Sequence, residues 1–399
     1  MKIGILREEK VPADMRVALT PLQCLQVKKQ YPAIDLVVRP SNTRTFLDAE
    51  YLNHGIDLQE DLHDCDILIG IKEVPIKDLI PNKTYLYFSH TIKEQTYNRE
   101  LLKKMLDLNI KMIDYEALTN NNGKRIIGFG RYAGIVGCYN AFLAYGKRTK
   151  SYNLKPAHLC YDRDELELEL LNIRLPSIKI VITGKGRVGK GVLELIRLIG
   201  VKEVSVKSFL KNDFNEAVFV NIDCLDYNKR IDEKISTMAD FYENPTEYRS
   251  DFMKFAKVSD VFIAGHFYAH KAPYLFTRDD AKLSQFRIRT VADISCDIDG
   301  PVACTIQSSS IPEPIYGYNR DTESLDNYNK KDNITVMAVD NLPCELPKDA
   351  SFDFGQELIK EVLPILLNSA KSKIIERATI CENGKLKDKY AYLKKYVNS

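Results

Sequence analysis

No run in this 399-residue chain approaches the roughly 18 consecutive apolar residues of a membrane span. The opening MKIGILREEK carries too much charge and too little apolar length for a secretory signal. An excess of one charge is missing as well: 57 lysines and arginines face 55 aspartates and glutamates, a net charge of +2, so nothing draws the chain in bulk to nucleic acid or an anionic membrane. The nine cysteines include no CxxC pair, and an odd count without metal-ligand spacing suits reduced thiols in the cytoplasm. No G-x-S-x-G elbow, P-loop, internal repeat or low-complexity segment occurs. Tryptophan is absent too, which excludes nothing. What remains is an ordinary soluble composition, 45% hydrophobic and 28% charged, long enough for two or three domains with sizeable cores.

The most informative stretch is residues 177–200, SIKIVITGKGRVGKGVLELIRLIG. An apolar run at 178–183 reads as a buried parallel strand, and VLELIRLI repeats apolar residues at helical spacing. Between them stand Gly184, Gly186 and Gly189, with Arg187 and Val188 before the last. In a strand-turn-helix these glycines allow, in order, a tight turn, backbone approach to a pyrophosphate and close helix-strand packing. The helix N-terminus then offers unpaired N–H groups and the positive end of its dipole to phosphates. A turn that needs glycine only for packing is the competing reading.

Before this stretch, apolar runs at 2–6, 34–38, 66–71, 84–88 and 110–113 alternate with helical patterns, which predicts a parallel sheet with helices on both faces. Thr20 and Pro21 read as the cap and first position of a helix. Residues 131–147 read as a long helix joining two domains, and 151–176 as polar with a helical patch at 164–171. After the glycine turn come a helix at 189–199, a strand at 203–206, a charged and poorly periodic insert at 208–256, and strands at 261–264, 289–294 and 334–339. Residues 348–367 read as a helix, with Asp353 and Glu357 on it, and Asn383-Gly384 as a hairpin turn. The expected architecture is α/β: two Rossmann-like, doubly wound parallel-sheet domains. A nucleotide domain at 131–330 is inserted into a discontinuous substrate domain, 1–130 with 331–399, and the catalytic cleft is expected between them.

Lys72 and His90 each stand just past an apolar strand, where open α/β sheets place their ligands. Histidine titrates near neutrality, and burial lowers a lysine toward the same range. Such a pair suits proton traffic at a carbonyl or imine carbon during hydride transfer. Arg16 and Arg125 could each fork onto a carboxylate; surface charge is the competing reading. Asp293, Asp297 and Asp299 cluster after a strand without an accompanying histidine, a weak metal pattern, and no metal is expected. His266 and His270 are four apart, but Gly265 and Pro273 argue against the helix that would align them as zinc ligands. The run 203–206 ends at Lys207 and Ser208 with no carboxylate to hold a ribose 2′-OH, which favours NADP(H) over NAD(H). Asp340, at another strand end, is a further cofactor candidate.

Taken together, RVALTP (16–21), RPSNTRTF (39–46), QEDLHDCDILIGIKEVP (59–75), KTYLYFSHTIKEQ (83–95), IDYEAL (113–118), GFGRYAGIVG (128–137), TGKGRVGKG (183–191), VADISCDIDG (291–300), VDNLPCELPKDAS (339–351) and ATICENGKLKDKYAYL (378–393) resemble the lysine–ketoglutarate reductase and saccharopine dehydrogenase (L-lysine-forming) family, within the alanine dehydrogenase/transhydrogenase superfamily. The resemblance implies an NAD(P)-dependent oxidoreductase acting on a CH–NH bond, with lysine, 2-oxoglutarate and saccharopine as its small-molecule partners. It implies that Lys72 and His90 are catalytic, that Arg16 and Arg125 hold substrate carboxylates, and that Glu73, Lys93 and Glu116 line the pocket. Asp297 matches an aspartate that serves catalysis in alanine dehydrogenases and is kept as a nucleotide-side candidate. The fungal branch has an acidic residue after its second cofactor strand where this reading finds none, again pointing to NADPH. An alanine-dehydrogenase-type reaction is the alternative. Neither nucleic acid nor membrane is an expected partner, and an oligomer is compatible with the sequence.

Overall fold

The computed structural model describes residues 1–268, 271–368 and 372–398. The chain divides into two compact units, residues 1–129 with 347–399, and residues 130–346.

In the first unit an eight-stranded sheet runs in the order Lys385–Leu386, Thr379–Glu382, Lys111–Asp114, Thr84–Tyr87, Ile67–Ile69, Lys2–Ile5, Asp35–Val38, Asp57–Leu58. All strands from Lys111–Asp114 onward are parallel. Their short apolar runs have no polar face because both faces are covered; Ile3, Ile5, Leu68, Ile69, Tyr85 and Leu86 are all buried. Thr20 and Pro21 open the helix Pro21–Gln30, where Thr20 and Gln23 cap each other reciprocally. Asn383 and Gly384, both at positive φ, turn the antiparallel pair Thr379–Glu382 and Lys385–Leu386 onto the sheet edge. Residues 348–367 are helical throughout: α-helix at Pro347–Glu357 and Leu363–Leu367, with a π-helical turn, Leu358–Val362, between them.

The second unit has a sheet of nearly the same plan, ordered Ser324–Asp326, Ile315–Asn319, Ile334–Met337, Thr290–Asp293, Val261–Ala264, Lys179–Thr183, Val218–Ile222, Lys202–Glu203. Here too the strands from Ile334–Met337 onward are parallel, and the first two form an antiparallel edge. Because Ile334–Met337 pairs with Thr290–Asp293, this unit extends to residue 346, past the expected boundary at 330. The long helix, Gly130–Thr149, is not a connector but part of this unit. It packs on Arg187–Leu198 so closely that a Cβ on Gly134 would stand 2.0 Å from the Val188 carbonyl oxygen, and one on Gly191 2.0 Å from that of Arg131.

Two further expectations need correction. The strand placed at 203–206 is only Lys202–Glu203, after which Ser205 caps the helix Val206–Lys211 by accepting from Ser208 N. The segment 208–256 is not a mere insert: it supplies Val218–Ile222, paired directly with the glycine-turn strand Lys179–Thr183, and a two-stranded ribbon, Asn228–Arg230 with Tyr248–Ser250.

Within this unit Glu345 is 1% exposed and accepts a hydrogen bond from Asn140 Nδ2 at 2.8 Å. Burial pushes its carboxyl up to about 8, against the opposing hydrogen bonds from Asn140 and the His158 backbone. A carboxyl raised in the folded state binds its proton more tightly than in the unfolded chain. Stability is therefore expected to fall as pH rises from about 4.5 to about 8. Glu345→Gln removes that titration, so its urea midpoint should drop less than the wild-type midpoint between pH 5 and pH 8. Equal drops in the two proteins would count against a titrating Glu345.

Candidate active site

In each sheet the chain order reverses beside the first strand of the unit. Lys2–Ile5 lies between Asp35–Val38 and Ile67–Ile69, and Lys179–Thr183 lies between Val218–Ile222 and Val261–Ala264. Open α/β sheets bind ligands at the carboxyl ends of such strands, where connections leave in opposite directions.

In the first unit the carboxyl ends of Ile67–Ile69, Thr84–Tyr87 and Lys111–Asp114 lie side by side, and each continues into a candidate residue. Lys72 Nζ is 3.1 Å from His90 Nε2. Glu73 Oε2 lies 4.0 Å from the same ring nitrogen, and Glu116 Oε2 lies 3.9 Å from His90 Nδ1. Both carboxylate oxygens are buried without a hydrogen-bond partner. His90 adopts φ 54°, in the left-handed region, within a turn pinned from below: Asp114 Oδ2 accepts from Ser89 N at 3.1 Å and from Ser89 Oγ, and Asn98 Nδ2 donates to Ser89 O at 3.0 Å. Holding a non-glycine residue there costs about 1 kcal/mol, which the Asp114 and Asn98 bonds offset.

Charge organises the rest. Lys93 and Arg125 reach Glu116 Oε1 at 3.6 and 3.4 Å. Against the opposing effect of burial, His90, Lys93 and Arg125 draw the Glu116 carboxyl down to about 2. Burial, then the positive charges of Arg16 and Lys10, lower Lys72 below the usual lysine range. Arg16 is 2% exposed; it forks onto Asp14 at 2.9 and 2.5 Å, with its guanidinium 4.2 Å from the Phe129 ring centroid. It is therefore a buried, paired cation and not a surface charge. The other five sequence-predicted residues of this unit, Arg16, Glu73, Lys93, Glu116 and Arg125, thus gather around one pair, Lys72 and His90. Sequence reading missed Glu8, Lys10 and Asp14 in the charged loop after the first strand. Lys10 pairs with Glu73 at 3.0 Å, and Glu8 accepts from the Ile71 and Lys72 amides. The only signal was the density of charge between Arg7 and Arg16.

In the second unit Gly184 takes φ +94°. A Cβ on Gly189 would stand 2.0 Å from the Gly184 carbonyl oxygen, so that glycine serves packing. Gly186 differs: a Cβ there would meet no protein atom within 4 Å. It caps the helix Arg187–Leu198 without any side-chain cap bond, so the helix N-terminus opens beside the free space at Gly186, where a phosphate cradle would stand. Asp223 directly follows Val218–Ile222, the strand beside the glycine turn. Its Oδ2 accepts from Lys185 Nζ at 2.9 Å and its Oδ1 from Leu225 N at 3.0 Å. Lys207 and Ser208, in contrast, lie on the helix Val206–Lys211 and not at the end of that strand. Their assignment to the ribose, and with it the case for NADP(H), loses its structural basis.

Asp297 and Asp340 are exposed in turns after Thr290–Asp293 and Ile334–Met337. Asp293 is spent on Ser295 and Thr305 hydroxyls, both at 2.7 Å, and Asp299 on Arg278 at 2.6 Å. No three potential ligands converge as a metal site among the described residues. His266 Nδ1 is 2.8 Å from Thr183 Oγ1, and burial pulls its pKa down to about 4; His270 lies outside the described residues. No described helix is long and apolar enough to cross a membrane.

The two doubly wound units have the α/β fold of the alanine dehydrogenase and transhydrogenase class. An L-alanine dehydrogenase matches 100% of the chain over 99% of its own, with TM-score 0.65 and 15% identity. A transhydrogenase from Sinorhizobium meliloti matches 97% over 98% of its own, with TM-score 0.60 and 13% identity. Residues 4–136 match the family model "Alanine dehydrogenase/PNT, N-terminal domain". In sequence the chain is similar to the mitochondrial alpha-aminoadipic semialdehyde synthase of Mus musculus, 28% identical over 99% of this chain and 48% of that protein. It is also similar to the saccharopine dehydrogenase (NAD(+), L-lysine-forming) of Schizosaccharomyces pombe, 25% identical over 90% of this chain and 92% of that protein. The chain spans about half the length of the mouse relative. These relatives carry the same resemblance that the motifs carried.

Proposed function

We propose that this chain is a saccharopine dehydrogenase acting on the lysine side, reversibly joining lysine and 2-oxoglutarate with a nicotinamide dinucleotide. The observation that carries this reading is the Lys72–His90 pair, flanked by the unpartnered oxygens of Glu73 and Glu116 at the carboxyl ends of three parallel strands. Making an imine from an amine and a ketone requires one proton to leave the incoming ammonium and another to reach the departing hydroxyl. Lys72, with its proton loosened by burial, and His90, in hydrogen-bond reach of it, can take and return these protons. Lys93 and Arg125, both exposed beside Glu116, are the cations we assign to substrate carboxylates. Arg16 contributes positive potential, with its Nε and Nη2 held on Asp14.

The residues present suit a dinucleotide: Gly186 and the first-turn amides of Arg187–Leu198 would hold its pyrophosphate. When bound, the nicotinamide supplies or accepts the hydride. For the ribose we infer Asp223. A carboxylate there accepts from a 2′-OH and repels a 2′-phosphate, so NAD(H) is the cofactor we assign, in place of the NADP(H) expected from sequence. Asp223→Ser is expected to raise the NADP(H)-to-NAD(H) ratio of kcat/KM by about 10-fold or more. An unaltered ratio would remove Asp223 from nucleotide choice. The nine free thiols fit the reducing cytoplasm as its compartment.

The direct test is absorbance at 340 nm with saccharopine and NAD(+), and in reverse with lysine, 2-oxoglutarate and either NADH or NADPH. Turnover that requires both lysine and 2-oxoglutarate supports the assignment. Turnover with pyruvate and ammonia instead would move the chain to the alanine dehydrogenase reaction.

A further inference from the structure

We infer that Glu8 is the positioning residue for Lys72, a two-oxygen clamp that fixes the backbone from which the lysine reaches His90. Strands Lys2–Ile5 and Ile67–Ile69 pair in register up to Ile5 and Ile69, and Leu6 N donates to Ile69 O at 2.8 Å. There the two chains part. The first turns away into the charged loop, so the amides of Ile71 and Lys72 have no backbone carbonyl of that strand to meet. The Glu8 side chain replaces it: Oε1 accepts from Ile71 N at 2.7 Å and Oε2 from Lys72 N at 2.8 Å. On the other side, Ile71 O accepts from Phe88 N at 2.9 Å, two residues before His90. One peptide unit is thus gripped from both flanks, and its two flanks lead to the two members of the catalytic pair. Gly70 leaves the room needed, since a Cβ there would stand 3.3 Å from Glu8 Oε1.

Both oxygens accept, and burial, then the Asp14 carboxylate, push the Glu8 carboxyl up to about 8 against these two bonds. Glutamine offers one acceptor and sets its own N–H₂ against the second amide; aspartate keeps the carboxyl group but withdraws it by one methylene. The two substitutions therefore separate reach from charge. The consequence for turnover rests on the reaction proposed above; the placement of Lys72 does not. The test labels folded wild type, Glu8→Gln and Glu8→Asp with a small amine-reactive reagent across pH and follows the Lys72 peptide by mass spectrometry. Losing the clamp frees Lys72 toward solvent, so in both variants its labelling midpoint should rise by ~one unit toward the ordinary lysine range. Removing a negative charge alone would move it the other way in Glu8→Gln and not at all in Glu8→Asp. In the 340 nm assay kcat should fall by about 100-fold with KM little changed. A midpoint that stays or falls in Glu8→Asp overturns the clamp, and that variant decides alone should Glu8→Gln fail to fold. A wild type inactive on saccharopine defeats the reaction proposed above and leaves the labelling result standing.

Discussion

Replacing His90 is expected to lower kcat by about 100-fold or more while leaving the affinity for NADH as in the wild type. The asymmetry follows from where the parts reside. His90 stands in a turn of the first unit, whereas the glycine cradle is built entirely from residues of the second. The choice of replacement matters, because alanine adopts φ 54° less readily than histidine, which adds a backbone penalty to the chemical loss. Asparagine tolerates that conformation and cannot carry protons near neutrality. His90→Asn should therefore match His90→Ala in kcat and melt closer to the wild type. Lys72→Met should produce a loss of similar size, and the double variant should be little worse than either single one, as groups that act as a unit are not additive. Progress curves at 340 nm and NADH fluorescence titration measure the two quantities. A His90→Asn enzyme that keeps wild-type kcat would leave the imidazole without a role.

Gly186→Val should give the converse phenotype. The new side chain meets no protein atom near its Cβ, so the unit should still fold, with a capping loss of about 1 kcal/mol. Its branched carbons would occupy the space through which a pyrophosphate approaches the first-turn amides. Loss of two amide-phosphate hydrogen bonds, at about 1.5 kcal/mol each, weakens dinucleotide binding by about 100-fold. Gly189→Ala is the control for packing. Its Cβ would fall 2.0 Å from a backbone carbonyl oxygen that cannot move independently, so it should lower the melting temperature before it changes affinity. Equal nucleotide affinity in Gly186→Val and the wild type would show that the open space at Gly186 is not a phosphate site.

Most strands were legible because a strand covered on both faces must be apolar along its length, as in ILI at 67–69 and KIVIT at 179–183. The two-residue strand Asp57–Leu58 has no such run and left no pattern. The reading at 203–206 failed for a local reason. Val204 and Val206 alternate with polar residues, a strand pattern, but Ser205 caps a helix instead. The carboxylate proposed for the ribose, Asp223, follows the strand that pairs with Lys179–Thr183 and not the strand next in sequence. Glu8 was unreadable as a functional residue because its partners, the Ile71 and Lys72 amides, are distant in sequence and brought close only by folding; Asp14 stands two positions from Arg16, but that spacing does not say that the pair is buried.

The sequence by itself determined the strand-turn-helix around Gly184, Gly186 and Gly189, the apolar strands, and the presence of an amine and an imidazole each just past a strand end. These are local matters, set by the spacing of apolar residues and by side chains within a few positions of one another. Only the tertiary structure decided which strand lies beside the glycine turn and that Lys72 and His90 meet at 3.1 Å. Those are consequences of parallel pairing, in which Ile69 aligns with Leu86 and carries two distant strand ends to the same edge of the sheet. No spacing along the chain encodes that alignment, because the burial of both sheet faces selects it.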